Sequence, residues 1–136
     1  MSVTEYRYKK ATHEQLEKCI RWCQNQFQLR DWEIRLDTNS SPPDAARAAG
    51  IDDSNCGCLY SDTHTLKANV WINIDKCVND DSSITSTVIH EVFHILMRDR
   101  FGGDDSNHEM ITRIMEPLLY RLYCRENGLK IAKERE

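Results

Sequence analysis

Two histidines four residues apart, His90 and His94, constrain this chain more than any other feature it carries. On a helix, positions i and i+4 lie one above the other on the same face. Both imidazoles can then reach one cation without any bend in the backbone. The intervening residues complete the run His90-Glu91-Val92-Phe93-His94, an HExxH arrangement. In such an arrangement two histidines bind Zn²⁺ and the glutamate is placed to act as general base toward a water. The flanking residues agree with a helix. Asp80-Asp81-Ser82-Ser83 offers several N-cap candidates near the positive end of the helix dipole, and the run from Ile84 to Arg98 contains neither Gly nor Pro. Ile84, Val88, Val92 and Ile95 recur as a helical stripe that would face the core. A packed helix with both histidines hydrogen-bonded would show the same stripe, so the motif needs a third ligand to become a site.

Catalytic zinc sites take three protein ligands and keep one position open. Downstream, Asp99 to Asp105 reads as a turn, in which Gly102 and Gly103 supply the positive-φ conformations that stop a helix. A second helix is expected from Asp105 or Ser106 to about Asn127, with Gly128 as its C-cap. Two helices joined by so short a loop pack antiparallel. His108 and Glu109 then return to about the height of His94, and geometry alone does not choose between them.

HExxH followed by a glutamate on the next helix resembles the gluzincin branch of zinc metallopeptidases. The resemblance implies that Glu109 is the third ligand beside His90 and His94, that Glu91 is the general base, and that one zinc ion is bound per chain. In that branch apolar residues follow the ligand glutamate at helical spacing, and Ile111, Ile114, Met115 and Leu118 stand at those positions here. The chain departs from the pattern at Arg113, where the branch carries an aspartate that orients a zinc histidine, so the partner fixing the histidine tautomers is unassigned. Met97 and Arg100 stand where a metzincin would carry Gly and a third His. In layout the chain is closer to very small metallopeptidases such as the SprT-like group and short phage-encoded ones. That likeness implies an α+β, minimal zincin-like domain: an N-terminal helix, a small, mostly antiparallel three-stranded sheet, the HExxH helix and an antiparallel C-terminal helix. The implied activity is hydrolysis of peptide bonds in a protein or peptide substrate. The alternatives are a non-catalytic module, in which zinc is structural in a closed site of four protein ligands or the peptidase-like scaffold docks a partner, and a regulatory peptidase with one dedicated protein substrate.

With 136 residues the chain suits one domain spanning 1–136. Its net charge of −4 and lack of a basic block argue against nucleic-acid binding. No apolar run approaches a membrane span, and the first residues lack the apolar region of a signal peptide, so a cytoplasmic protein is expected. Six cysteines occur without any CxxC pair, which argues against a zinc ribbon. Free, mostly buried thiols are expected, and a second metal site at Cys56 and Cys58 is the alternative.

Elsewhere, Thr12-His13-Glu14-Gln15 is a capping box that opens a helix to about Leu29, with Leu16, Cys19, Ile20, Cys23 and Phe27 on its apolar face. Asp31 to Asp37 alternates as a half-buried strand does. Residues 38–55 form a long polar connection broken by Pro42 and Pro43, with one helical turn at Asp44 to Ala49, and are expected to border the cleft. Strands are expected at Cys58 to Tyr60 and Leu66 to Asp75, with Val70, Ile72 and Ile74 inward and Trp71, Asn73 and Asp75 outward. By analogy with zinc metallopeptidases, residues 68–74 would be the shelf on which an extended substrate pairs. His64, Arg113, Tyr120 and Tyr123 are the candidates for stabilising an oxyanion, and the sequence does not pick one.

Overall fold

The computed structural model describes residues 3–4, 13–52, 54–79, 84–102 and 105–130. In chain order they form strand β1 (Val3–Thr4), helix α1 (His13–Gln26), strand β2 (Glu33–Asp37), the single turn α2 (Asp44–Ala48) and strands β3 (Gly57–Asp62) and β4 (Lys67–Ile72). A short helix α3 (Ile74–Asn79), two long helices α4 (Ile84–Phe101) and α5 (Asp105–Glu126), and strand β5 (Leu129–Lys130) complete the chain. The architecture is α+β. The capping box at Thr12 and the N-cap candidates at 80–83 lie outside the described residues.

The expected sheet is present, but it is mixed rather than mostly antiparallel. Its order is β2-β4-β3, with β2 parallel and β3 antiparallel to β4. A separate parallel pairing joins β1 to β5. Strand β4 takes the centre with an inner face that is apolar and buried throughout, while its outer face is exposed at Lys67 and Asn69 and buried at Trp71. Ala68, Val70 and Ile72 pack inward on α4, in one core with the buried face of α1. Trp71, expected to face outward, is 1% exposed. It packs with Ala46 and Cys58 beneath the 38–52 segment, and its indole N–H donates to the Asn39 carbonyl at 2.9 Å. The strand also ends earlier than expected. Asn73, buried rather than outward, accepts the Lys76 amide on its Oδ1 at 3.1 Å, and this capping turns the chain into α3 at Ile74.

The α4 stripe behaves as its spacing requires: Ile84, Val88, Val92 and Ile95 are fully buried, joined by Ile89 and Phe93. Phe93 stacks edge-on against Phe27 at the end of α1, with centroids 5.6 Å apart. After Gly102, which adopts φ +63°, α5 turns back onto α4. The apolar positions that match the gluzincin pattern do not form its core face. Ile111, Ile114 and Leu118 are 46%, 61% and 54% exposed, while His108, Thr112, Tyr120, Tyr123 and Cys124 are buried. Only Met115 of that set packs partly against the core. Among the described residues no helix is long and apolar enough to cross a membrane.

Trp71 joins the sheet to the segment above it, so Trp71→Ala is expected to destabilise the protein by about 3–5 kcal/mol. Urea denaturation followed by tryptophan fluorescence and circular dichroism measures this; a loss below about 1 kcal/mol would mean that the segment is held by other contacts.

Candidate metal centre

Burial of one face of α4 sets its rotation, and that rotation turns His90 and His94 toward α5. His94 is buried and His90 nearly so. Their Nε2 atoms stand 3.2 Å apart. From the first turn of α5, Glu109 brings Oε1 to 3.2 Å from His90 Nε2 and Oε2 to 3.0 Å from His94 Nε2. Among the described residues these three form the one group of His, Cys, Asp or Glu side chains able to hold a metal ion, with ligand atoms all within 4.8 Å of one another. Ligand atoms on a tetrahedral zinc with bonds of roughly 2.0–2.1 Å lie about 3.3–3.4 Å apart. Two imidazole nitrogens and a carboxylate at nearly that separation fit such an ion.

Glu116, which the sequence reading did not single out, adjoins the group. Its Oε1 lies 2.7 Å from His90 Nδ1, so it accepts the Nδ1–H and leaves Nε2 directed at the group. A carboxylate on the far nitrogen of a ligand histidine fixes its tautomer and ring orientation. The signal was available: Glu116 follows Glu109 by seven residues, two helical turns along one face. Because Glu109 meets both histidines while Glu116 meets only the earlier one, α5 runs antiparallel to α4. Arg113, where the resemblance would place an acid, donates from Nε to Glu109 Oε1 at 3.1 Å and steadies that carboxylate.

The electrostatics favour a cation. Burial pushes the His90 pKa down, but the Glu116 hydrogen bond and the charges of Glu91, Glu116 and Glu109 outweigh it and raise the pKa overall. Glu91 lies outside the ligand group yet lines the cleft on both sides of it. His108 is buried, its Nδ1 lacks a hydrogen-bond partner, and it is not one of the grouped residues.

The remaining candidates separate clearly. Tyr120 and Tyr123 belong to the core, Tyr123 edge-on to Trp22 at 5.1 Å. His64 sits at the exposed tip of the β3–β4 hairpin. Tyr60, not singled out from sequence, lines the cleft, and its buried hydroxyl has no hydrogen-bond partner. All six cysteines are reduced thiols, and five are buried. Burial, then the charges of Glu91 and Asp37, push the Cys58 thiol up to about 11, which keeps it protonated at neutral pH. Cys56 and Cys58 join no metal group. The 38–55 segment does border the cleft, through Ala49, Ile51 and Asn55. Strand β4, expected as the substrate shelf, is paired on both sides. Among the described residues, the strand that borders the cleft with one edge unpaired in the sheet is β3.

No protein-family model matches the chain, and no curated protein or solved structure matches it.

Glu116→Gln is expected to weaken zinc binding by about 10–100-fold, read by competition with a chromophoric chelator. Glu109→Ala is expected to abolish stoichiometric zinc while His108→Ala retains it, as metal analysis of the purified proteins measures. Zinc lost from His108→Ala and kept by Glu109→Ala would reverse the ligand assignment.

Proposed function

We propose that the protein is a zinc-dependent metallopeptidase that hydrolyses peptide bonds in a protein or peptide substrate. The observation that carries this reading is the convergence of His90, His94 and Glu109 with a second carboxylate, Glu91, beside them but outside the ligand group. His90, His94 and Glu109 would hold the ion, and Glu116 would orient His90. The chemistry supplied by such an ion is Lewis acidity, which lowers the pKa of water and polarises a carbonyl.

Glu91 accepts the proton of the attacking water as its oxygen adds to the scissile carbonyl carbon. When the C–N bond breaks, Glu91 returns that proton to the leaving amine. An extended substrate gains backbone hydrogen bonds by pairing with the edge of β3, and pockets on either side read its side chains. A purely structural role is less well supported, because a closed zinc site takes four protein ligands. His108, the neighbour that would supply the fourth, is not part of the group.

The deciding experiment compares wild type, Glu91→Gln and His94→Ala on a mixed peptide library read by mass spectrometry, with zinc content determined for each. Glu91→Gln is expected to keep zinc and lose about 10²–10⁴-fold in turnover, whereas His94→Ala loses both. Equal cleavage by Glu91→Gln and wild type would remove Glu91 from the general-base role.

A further inference from the structure

The metal group lies between two hollows of opposite character. One, of about 280 Å³, adds Ala49, Ile51, Cys58, Leu59 and Tyr60 to the residues of the group. Those additions are apolar or weakly polar, and none carries charge. The other, of about 420 Å³, shares His90, Glu91 and Glu109 and adds Asn55, Cys56, Gly57, Thr87, Arg113 and Glu116. It is polar and doubly charged beyond the shared residues.

Strand β3 joins them in a fixed order. Its first residue, Gly57, and Cys56 just before it border the polar hollow, and Cys58 to Tyr60 border the apolar one. A peptide added to its unpaired edge gains more per residue when it runs antiparallel. Such a peptide passes first over the apolar hollow and then over the polar one. An apolar side chain placed over the first loses water against Ile51, Leu59 and the Tyr60 ring, and a charged side chain there would be buried without a partner. The volume is near the lower end, on the order of 300 Å³, for ligand pockets, which suits one side chain.

We propose that this site selects extended peptides with a branched or bulky apolar residue immediately on the N-terminal side of the reacting bond. The proposal rests on the peptidase reading, but its test needs no turnover. The probes are N-acetyl-leucine hydroxamate and N-acetyl-aspartate hydroxamate, each titrated calorimetrically into the zinc-loaded protein. The hydroxamate anchors at the metal, and the side chain reports the hollow on its N-terminal side.

The leucyl compound is expected to bind about 10–100-fold tighter, as burial of an isobutyl group implies. Ile51→Asp is expected to erase that preference with zinc content unchanged. Should Ile51→Asp fail to fold, Ala49→Glu at the exposed rim of the hollow tests the same point. A 2-isobutylsuccinyl monohydroxamate, which offers the same group on the C-terminal side, is expected to bind more weakly than the leucyl compound.

Equal affinities for the leucyl and aspartyl compounds, or no binding of either, overturn the proposal. Tighter binding of the succinyl compound overturns the direction assigned to the chain. Failure of the peptidase reading looks different: the leucyl preference stands, and Glu91→Gln and wild type are alike in cleaving nothing.

Discussion

The buried face of α4 is the constraint on which the site depends. Ile84, Val88, Val92 and Ile95 have no solvent exposure, and closely packed interiors resist rotation of such a helix because every contact would be lost together. With the helix locked, the opposite flank has no freedom either. His90 and His94 therefore converge by core packing, before any ion contributes binding energy. This is pre-organisation in a simple form: side chains held by a rigid element present a site with little left to order.

Helix α5 supplies the rest by returning along α4. Glu109, Arg113 and Glu116 are spaced at four and three residues, so they share one face and meet the histidines in sequence. Glu109 meets both Nε2 atoms, Arg113 steadies Glu109, and Glu116 holds the far side of His90. Three carboxylates around two imidazoles create a local negative field in a chain of only modest net charge. Such a field is tolerable when a cation is bound, because like charges in a partly buried cleft otherwise repel.

The sheet positions the opposite wall of the cleft. Strand β4 is paired along both edges, which leaves β3 as the edge strand beside the metal group. Gly57 allows its close approach: a Cβ there would lie 2.8 Å from the Trp71 carbonyl oxygen and 3.4 Å from a Thr87 methyl. The Trp71 side chain, on the outer face, draws the 38–52 segment down over the sheet and so brings Ala49 and Ile51 to the cleft. A segment with little regular structure thus becomes a wall because one indole anchors it.

Local periodicity determined much of this from sequence alone. The α4 stripe, the i,i+4 histidine pair, the turn at Gly102 and the return of Glu109 to the level of His94 all depend on helix geometry and a short loop, which are properties of neighbouring residues. Tertiary structure decided the remainder. Whether Glu109 or His108 faced the histidines depended on the rotation of α5. That rotation left Ile111, Ile114 and Leu118 exposed, since an apolar stripe cannot say which other surface will cover it. The role of Glu116 required knowing which residue lay opposite His90 across the helix pair. The burial of Trp71 and the central place of β4 required the parallel pairing with β2, a contact between segments about thirty residues apart. Sequence spacing reports which residues share a face; only packing between distant elements reports what that face meets.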